Sequence, residues 1–353
     1  MCIRDRYSIE LKMKPVQTIP LDYYLTLGIV AMEGRGFEYP SDSFVAENDR
    51  IYVTNKSRDY GERGVRVTIL DMDSDYFGTF GHYGISEGQL ISPAGITGDA
   101  NGNLYVTDDY TSMVSQFDLE GNFIQRWGSN GSNRDEMQSP SGIAIGKDGL
   151  VYISDTKNHR VQIFTTAGDH VSAIGSQGNE EGQFNLPWGV DVGLNGNISV
   201  ADWGNSRIQR FDSNGDHVET ISSVQAGQNQ LNHPSSVVVD STGNQYIADW
   251  GNETVKVLNR SSELIQEIRG QATLSKWASA FLETNREEGL SRENANLNDL
   301  SSLEDTEDPH TVSAHIEKLF WSPVSVKLQK EDRLLVTESN RHRIQVYKVG
   351  GSN

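Results

Sequence analysis

Apolar and polar residues alternate in short runs along most of the chain, and the runs return at a fixed interval. Alternation at period two predicts strands with one buried face, whereas helices would repeat at 3.6. Prolines mark the interval: Pro93, Pro140, Pro187 and Pro234 are each 47 residues apart, Pro40 lies 53 before Pro93, and Pro323 lies 89 after Pro234. Behind the prolines stand β-rich runs such as Gly95-Ile96-Thr97, Gly142-Ile143-Ala144-Ile145 and Gly189-Val190-Asp191-Val192. A turn follows, built on pairs such as Asp148-Gly149 and Asn195-Gly196, which tolerate the positive φ of tight hairpins. A second run, Val151-Tyr152-Ile153 or Ile198-Ser199-Val200, ends in an acidic residue. These are Asp108, Asp155, Asp202, Asp249 and Glu338, with Asn55 in the first unit. A third run (Val161 to Phe164, Ile208 to Phe211), another glycine turn and a fourth run such as Phe123 to Trp127 complete the unit.

Four short strands per unit, repeated at this period, predict propeller blades. The count gives an all-β, six-bladed β-propeller with four-stranded antiparallel blades. The sixth unit stops after its third strand, at Tyr347, and one unmatched strand lies around Tyr23 to Gly28. That N-terminal strand is expected to close the last blade, which removes an open sheet edge. The organisation expected is a leader at 1–22, a single propeller at 23–350 and a tail at 351–353. A partly helical, acidic insertion at 271–322 separates blades five and six.

One motif recurs after the acidic residue. It reads Asn158-His159-Arg160-Val161-Gln162, then Asn205-Ser206-Arg207-Ile208-Gln209 and Arg341-His342-Arg343-Ile344-Gln345, with Thr254 or Met113 at the arginine position of other blades. The pattern resembles the NHL-repeat family, whose name-giving residues are Asn-His-Arg followed by an aliphatic residue and Gln. The resemblance implies the six-bladed fold and leaves function open, because one fold hosts many sites. In the amidating lyases of this fold, histidines just after the inner-strand proline hold a metal. The equivalents here are Ser41, Ala94, Ser141, Trp188, Ser235 and Val324, none of which carries an imidazole. The RNA-binding propellers of the tripartite-motif class use a basic face and carry RING and coiled-coil segments. This sequence shows neither that cysteine/histidine pattern nor heptads.

Charge narrows the partners. The 353 residues carry a formal net charge of −19, which disfavours nucleic acid and anionic membrane surfaces and leaves cationic partners or metal ions open. No apolar run is long enough for a membrane helix. Cys2 is the single cysteine, so there is no disulfide framework. Met1 to Arg6 read as a non-native start. A true start at Met13 points to the cytoplasm, and a native N-terminus truncated upstream of Tyr7 leaves export open.

Two strings imitate known sites. Gly84-Ile85-Ser86-Glu87-Gly88 matches G-x-S-x-G but falls in a loop between blades, without the strand-to-helix setting that the hydrolase motif needs. Asp71-Met72-Asp73-Ser74-Asp75 starts like a calcium loop, yet Tyr76 and His82 occupy its glycine and glutamate positions. The recurring carboxylates have two readings, a cation site on one face or a structural partner for the arginine five residues on. Their repetition in blade after blade favours the structural reading.

Departures from symmetry carry the candidate site. Trp203 and Trp250 follow the acidic residue in adjacent blades, and Trp188 follows its proline where other blades place small residues or Val324. All three are expected to open on one face, where indoles make strong binding anchors. Asp109, Tyr110, Arg58, Asp59 and Tyr60 lie in equivalent loops. In the insertion, Leu274, Trp277, Ala278, Phe281 and Leu282 predict an amphipathic helix with Gly289 as its stop. A second short helix is expected over Val312, Ile316, Leu319 and Phe320, and an acidic stretch, Glu304 to Pro309, lies between them. The insertion reads either as a lid or docking element, or as decoration packed on the rim. The leading functional expectation is a scaffold that binds a peptide, protein or small ligand on the tryptophan face and requires no cofactor. The alternative is a metal-dependent hydrolase or lyase with calcium or zinc in the central channel.

Overall fold

Each blade is a sheet of four antiparallel strands stacked from the axis outward, shown by blade four: Pro187–Val192, Ile198–Asp202, Arg207–Phe211 and His217–Ile221. The structure is a computed structural model and describes residues 21–57, 63–222, 230–297, 308–330 and 332–350. Six such sheets form the ring. The inner strands of successive blades begin at Pro40, Pro93, Pro140, Pro187, Pro234 and Pro323. Tight turns at Gly149 and Gly196, with φ of 76° and 82°, connect first to second strands, where a side chain would strain the backbone.

The closing strand is Leu21–Leu27, paired antiparallel with Arg343–Val349 from Leu21 opposite Val349 to Leu27 opposite Ile344. It starts two residues before the expected position. The first and last strands of the ring thereby share one sheet.

The apolar core is divided among the seams between blades. Six clusters of buried side chains each join one blade to the next, for example Tyr152, Phe184, Val190 and Phe211 between blades three and four. At the axis the inner strands nearly touch. A Cβ on Gly142 would lie 2.5 Å from the Trp188 carbonyl oxygen, and one on Gly189 would lie 2.7 Å from that of Ser235. Glycine is therefore required by close backbone approach.

The insertion contains α1 (Lys276–Thr284), α2 (Arg286–Asn294) and α3 (Pro309–His315). It differs from the expected pattern in three ways. Ser275 caps α1 by accepting the Ala278 N–H, so Leu274 lies outside the helix, and Trp277 is its one buried residue while Phe281 is exposed. Gly289 does not stop the helix: the break comes at Asn285, whose carbonyl accepts the Gly289 N–H inside α2. The second predicted helix ends at His315, because Phe320 leaves helical geometry to give its N–H to the Arg269 carbonyl and is fully buried. Of the acidic stretch, Glu304 to Glu307 lie outside the described residues.

Trp277 decides where the insertion sits. It enters the seam between blades six and one beside Leu27, Phe37, Leu70 and Ile344, and its indole N–H donates to the Ser74 carbonyl at 2.7 Å. The segment that leaves blade five thus crosses blade six and fastens onto blade one. Here the rim-packed reading describes α1. In contrast, α3 lies against the loop that carries Trp250.

Candidate functional site

The repeating motif residues tie the loops of one face together. In blade three, Asp155 takes the Gln138 N–H at 2.6 Å with one oxygen. Its other oxygen takes Asn158, Arg160 at 2.9 Å and Gln162. Arg160 in turn donates to the Asn133 and Glu136 carbonyls of the loop between blades. Blade four repeats this with Asp202, Asn205, Arg207 and Gln209. A buried carboxylate so surrounded is satisfied as a structural partner. The paired-arginine reading holds at Asp155, Asp202 and Glu338, where Arg343 stands 2.7 Å away.

Three blades achieve the same brace by other means. Arg66 faces Asn55 in the register that Arg160 has with Asp155, and it reaches the Ala31, Met32 and Gly36 carbonyls. A longer loop before Arg66 hides this equivalence in the sequence. Blade two has Met113 at that position, and Arg126 of its outer strand bonds the Ser86 and Gln89 carbonyls instead. Blade five places Lys256, 2% exposed, against Asp249 from the position that is Gln in blades three, four and six.

The histidine of the motif is a latch. His159 Nδ1 accepts the Leu186 N–H at 3.1 Å, and His342 Nδ1 accepts the Tyr39 N–H at 2.9 Å, each just before the proline of the following blade. Burial lowers the His342 pKa to about 4, which keeps this nitrogen free to accept. Serine does the same in blade four, where Ser206 Oγ takes the His233 N–H. In blade five the position is Glu253, whose Oε2 takes the Ser322 N–H at 2.6 Å. A carboxylate has a second oxygen, and here it meets His310 Nδ1 of α3 at 2.5 Å. The Trp321 indole N–H donates to His310 Nε2 at 3.1 Å. With Nε2 accepting, the proton of the neutral imidazole sits on Nδ1 and is donated to Glu253. Burial, reinforced by the nearby Glu338 charge, outweighs these hydrogen bonds and raises the Glu253 pKa to about 7. Because both imidazole nitrogens are engaged, the pair serves as a clasp and leaves no lone pair for proton abstraction.

The three candidate tryptophans come together. Trp188 and Trp203 have ring centroids 6.0 Å apart, and Trp203 and Trp250 6.1 Å. His233 packs tilted against Trp203 with ring centroids 4.4 Å apart, and the row continues through His310, 6.5 Å from Trp250, to Trp321, 5.9 Å further on. The indoles are half-buried, so each both packs on its neighbour and keeps an edge in solvent. The Trp203 indole N–H is buried without an acceptor among the described residues. Trp321, His233 and His310 were not singled out by the sequence, since none repeats in the motif.

The other candidates do not join this row. Asp109 and Tyr110 belong to blade two, three blades from Trp250; Asp109 is held by Lys56 at 2.5 Å, and Tyr110 is 73% exposed. Arg58, Asp59 and Tyr60 lie outside the described residues. At the axis the open volume is about 20 Å³, close to the room that one water needs. Asp42 lies there, taking the Ser325 hydroxyl at 2.5 Å and the Ile96 N–H at 3.0 Å, with Lys327 at 3.3 Å. Asp191 is pushed up to about 6 by desolvation. Among the described residues no three His, Cys, Asp or Glu side chains gather closely enough to hold a metal.

The family model for the NHL repeat matches residues 137–164 and 184–211, which span the motifs of blades three and four. This chain is an NHL-repeat six-bladed β-propeller. The match falls where the Asp–Asn–Arg–Gln network is complete. No curated protein matches the NHL chain significantly. Among solved structures it is similar to a streptogramin B lyase at 12% identity, covering 93% of this chain and 98% of that one, with a TM-score of 0.53. It is also similar to a catalytically inactive virginiamycin B lyase from Staphylococcus aureus with quinupristin, at 11% identity, coverage of 94% and 99%, and a TM-score of 0.54. A protein of unknown function from Bacteroides thetaiotaomicron aligns at 17% identity over 93% of this chain and 73% of its own, with a TM-score of 0.58. At such identities the likeness is one of fold. No described helix is long and apolar enough to cross a membrane.

Proposed function

We propose that this NHL propeller is a binding scaffold that receives a partner, peptide or small ligand on the aromatic row of blades four to six. One observation carries the reading: Trp188, Trp203, Trp250 and Trp321 line up with two imidazoles across consecutive blades, on the face where the motif loops meet. The ring symmetry does not require this row, because the residues equivalent to its tryptophans in the other blades carry no aromatic ring. Half-buried indoles held rigid by their neighbours lose little entropy on binding and offer large apolar area.

The test is partner recovery on immobilised protein, comparing the natural chain with the Trp188→Ala, Trp203→Ala and Trp250→Ala variants. Loss of about 2 kcal/mol per anchor, or roughly thirtyfold in affinity, is expected of such hot spots. Recovery unchanged in the triple variant, with the fold intact by circular dichroism, rejects this face.

A further inference from the structure

Beside Trp250 the face opens into a cavity of about 630 Å³, walled by Asn232, His233, Trp250, Asp308, His310 and Asn340 among others. That size lies in the range of small-ligand pockets. Much of its polar wall is already engaged. Asn232 donates to the Gly251 carbonyl and meets His233 Nδ1, Asn340 donates to Ser322, and His310 is held between Glu253 and Trp321. Among the described residues no lysine or arginine lines the cavity. Its charge comes from Asp308 in the wall, which is itself engaged in capping α3 through the Thr311 N–H and hydroxyl, with the Glu253 carboxylate directly behind His310.

We propose that this cavity takes the ammonium or guanidinium group of a basic residue on the partner, a refinement that rests on the aromatic-row reading above. An indole face attracts a cation through its quadrupole, and a neighbouring carboxylate adds to the attraction. The surface already makes this contact internally: the Arg341 guanidinium lies 5.1 Å from the Trp321 ring centroid while donating to the Ser313 and Ala314 carbonyls. An anionic group would find no lysine or arginine among the described residues of the wall. A purely apolar group would strip water from hydroxyls and amides without replacing it. The net charge of −19 steers basic partners toward the protein at low ionic strength.

The experiment titrates the full chain with pentapeptides that differ only at the central residue, read by tryptophan fluorescence and calorimetry. The centres are arginine, lysine, citrulline and norleucine. Arginine and lysine peptides are expected to bind about tenfold or more tighter than the two neutral ones, with the gap shrinking in high salt. Asp308→Asn keeps the helix cap and removes the charge, so it should weaken the arginine peptide several-fold and leave the citrulline peptide unchanged. Trp250→Leu keeps apolar bulk without the π face and should also narrow the gap. Equal binding of arginine and citrulline, or no binding by any of the four, overturns the proposal. A partner that is lost on Trp188→Ala and Trp203→Ala, yet binds equally well after its own basic residues are neutralised, leaves the aromatic row standing and removes the cation site alone.

Discussion

Glu253 holds His310 at 2.5 Å through one carboxylate oxygen and the Ser322 N–H at 2.6 Å through the other. The same side chain therefore latches blade five to blade six and docks α3 beside the aromatic row. The pair with one shared proton allows His310 Nε2 to accept from Trp321. A second proton leaves a hydrogen on Nε2 whether it is carried by the imidazole or by the carboxyl, and two donors then face each other.

Acidification through about pH 7, where Glu253 titrates, should release the Trp321 indole. The signal is the Trp321 Nε1–H resonance in a protein labelled at tryptophan. It should be protected above that pH and exchange faster below it. Glu253→Gln imitates the protonated carboxyl and should show the released state at every pH. For global stability the sign is opposite. A carboxyl whose folded pKa is raised stabilises the fold below its unfolded value, and that contribution is lost as pH rises from about 4.5 to about 7. An indole resonance that ignores both pH and the substitution would contradict this account.

His342 gives a second pH dependence. Its folded pKa of about 4 lies below the unfolded value of 6.5, so the unfolded chain binds the proton more readily between them. Stability from this latch is full above the unfolded value and falls as pH drops through that window. His342→Ser should flatten the decline, because Ser206 performs the same latching without titrating. Thermal melts at pH 7.5 and 5 on both proteins measure it; parallel losses would count against the latch.

Lys256 is buried against Asp249, and Met in its place should leave an uncompensated charge that costs about 3–5 kcal/mol. Adding back the blade-four pattern, Thr254→Arg with Lys256→Gln, should recover most of that loss. Urea denaturation of the single and double variants compares them directly. Equal instability in both would show that the lysine is not standing in for the arginine.

Trp277 fills the seam between blades six and one, and Trp277→Ala should cost about 3–5 kcal/mol, the usual range for a large buried aromatic. Hydrogen exchange should rise first in Leu21–Leu27 and α1, since both border that seam. A uniform rise across all six blades would mean that Trp277 does not act locally.

Much of the ring was legible because the repeats state local rules: a proline in every blade, glycine turns in most, and an acid set against an arginine in blades three, four and six. The pairing of Leu21–Leu27 with the last blade followed from counting strands. What escaped the sequence depends on contacts between distant residues. Glu253 meets His310 57 positions away, and Trp277 meets Ser74 203 positions away, with no periodic signal linking either pair. Glu253 could have been noticed by aligning it with His159, Ser206 and His342. Blade five otherwise draws the eye to Thr254, where the arginine is missing. Arg66 was hidden by loop length, which shifts it out of the five-residue spacing while leaving it in register with Asn55.

The pairing of Leu21 with Val349 also has a consequence for synthesis. Leu21–Leu27 leaves the ribosome before the blades and must wait, without its neighbour, until Arg343–Val349 has been made. Blades one to five contain all their own strands and are free to assemble as they emerge, whereas the sixth forms only once Arg343–Val349 is available to both of its partners. A transcript cut short before Arg343 would therefore yield five finished sheets and two ragged borders, a product well suited to sticking to its own kind.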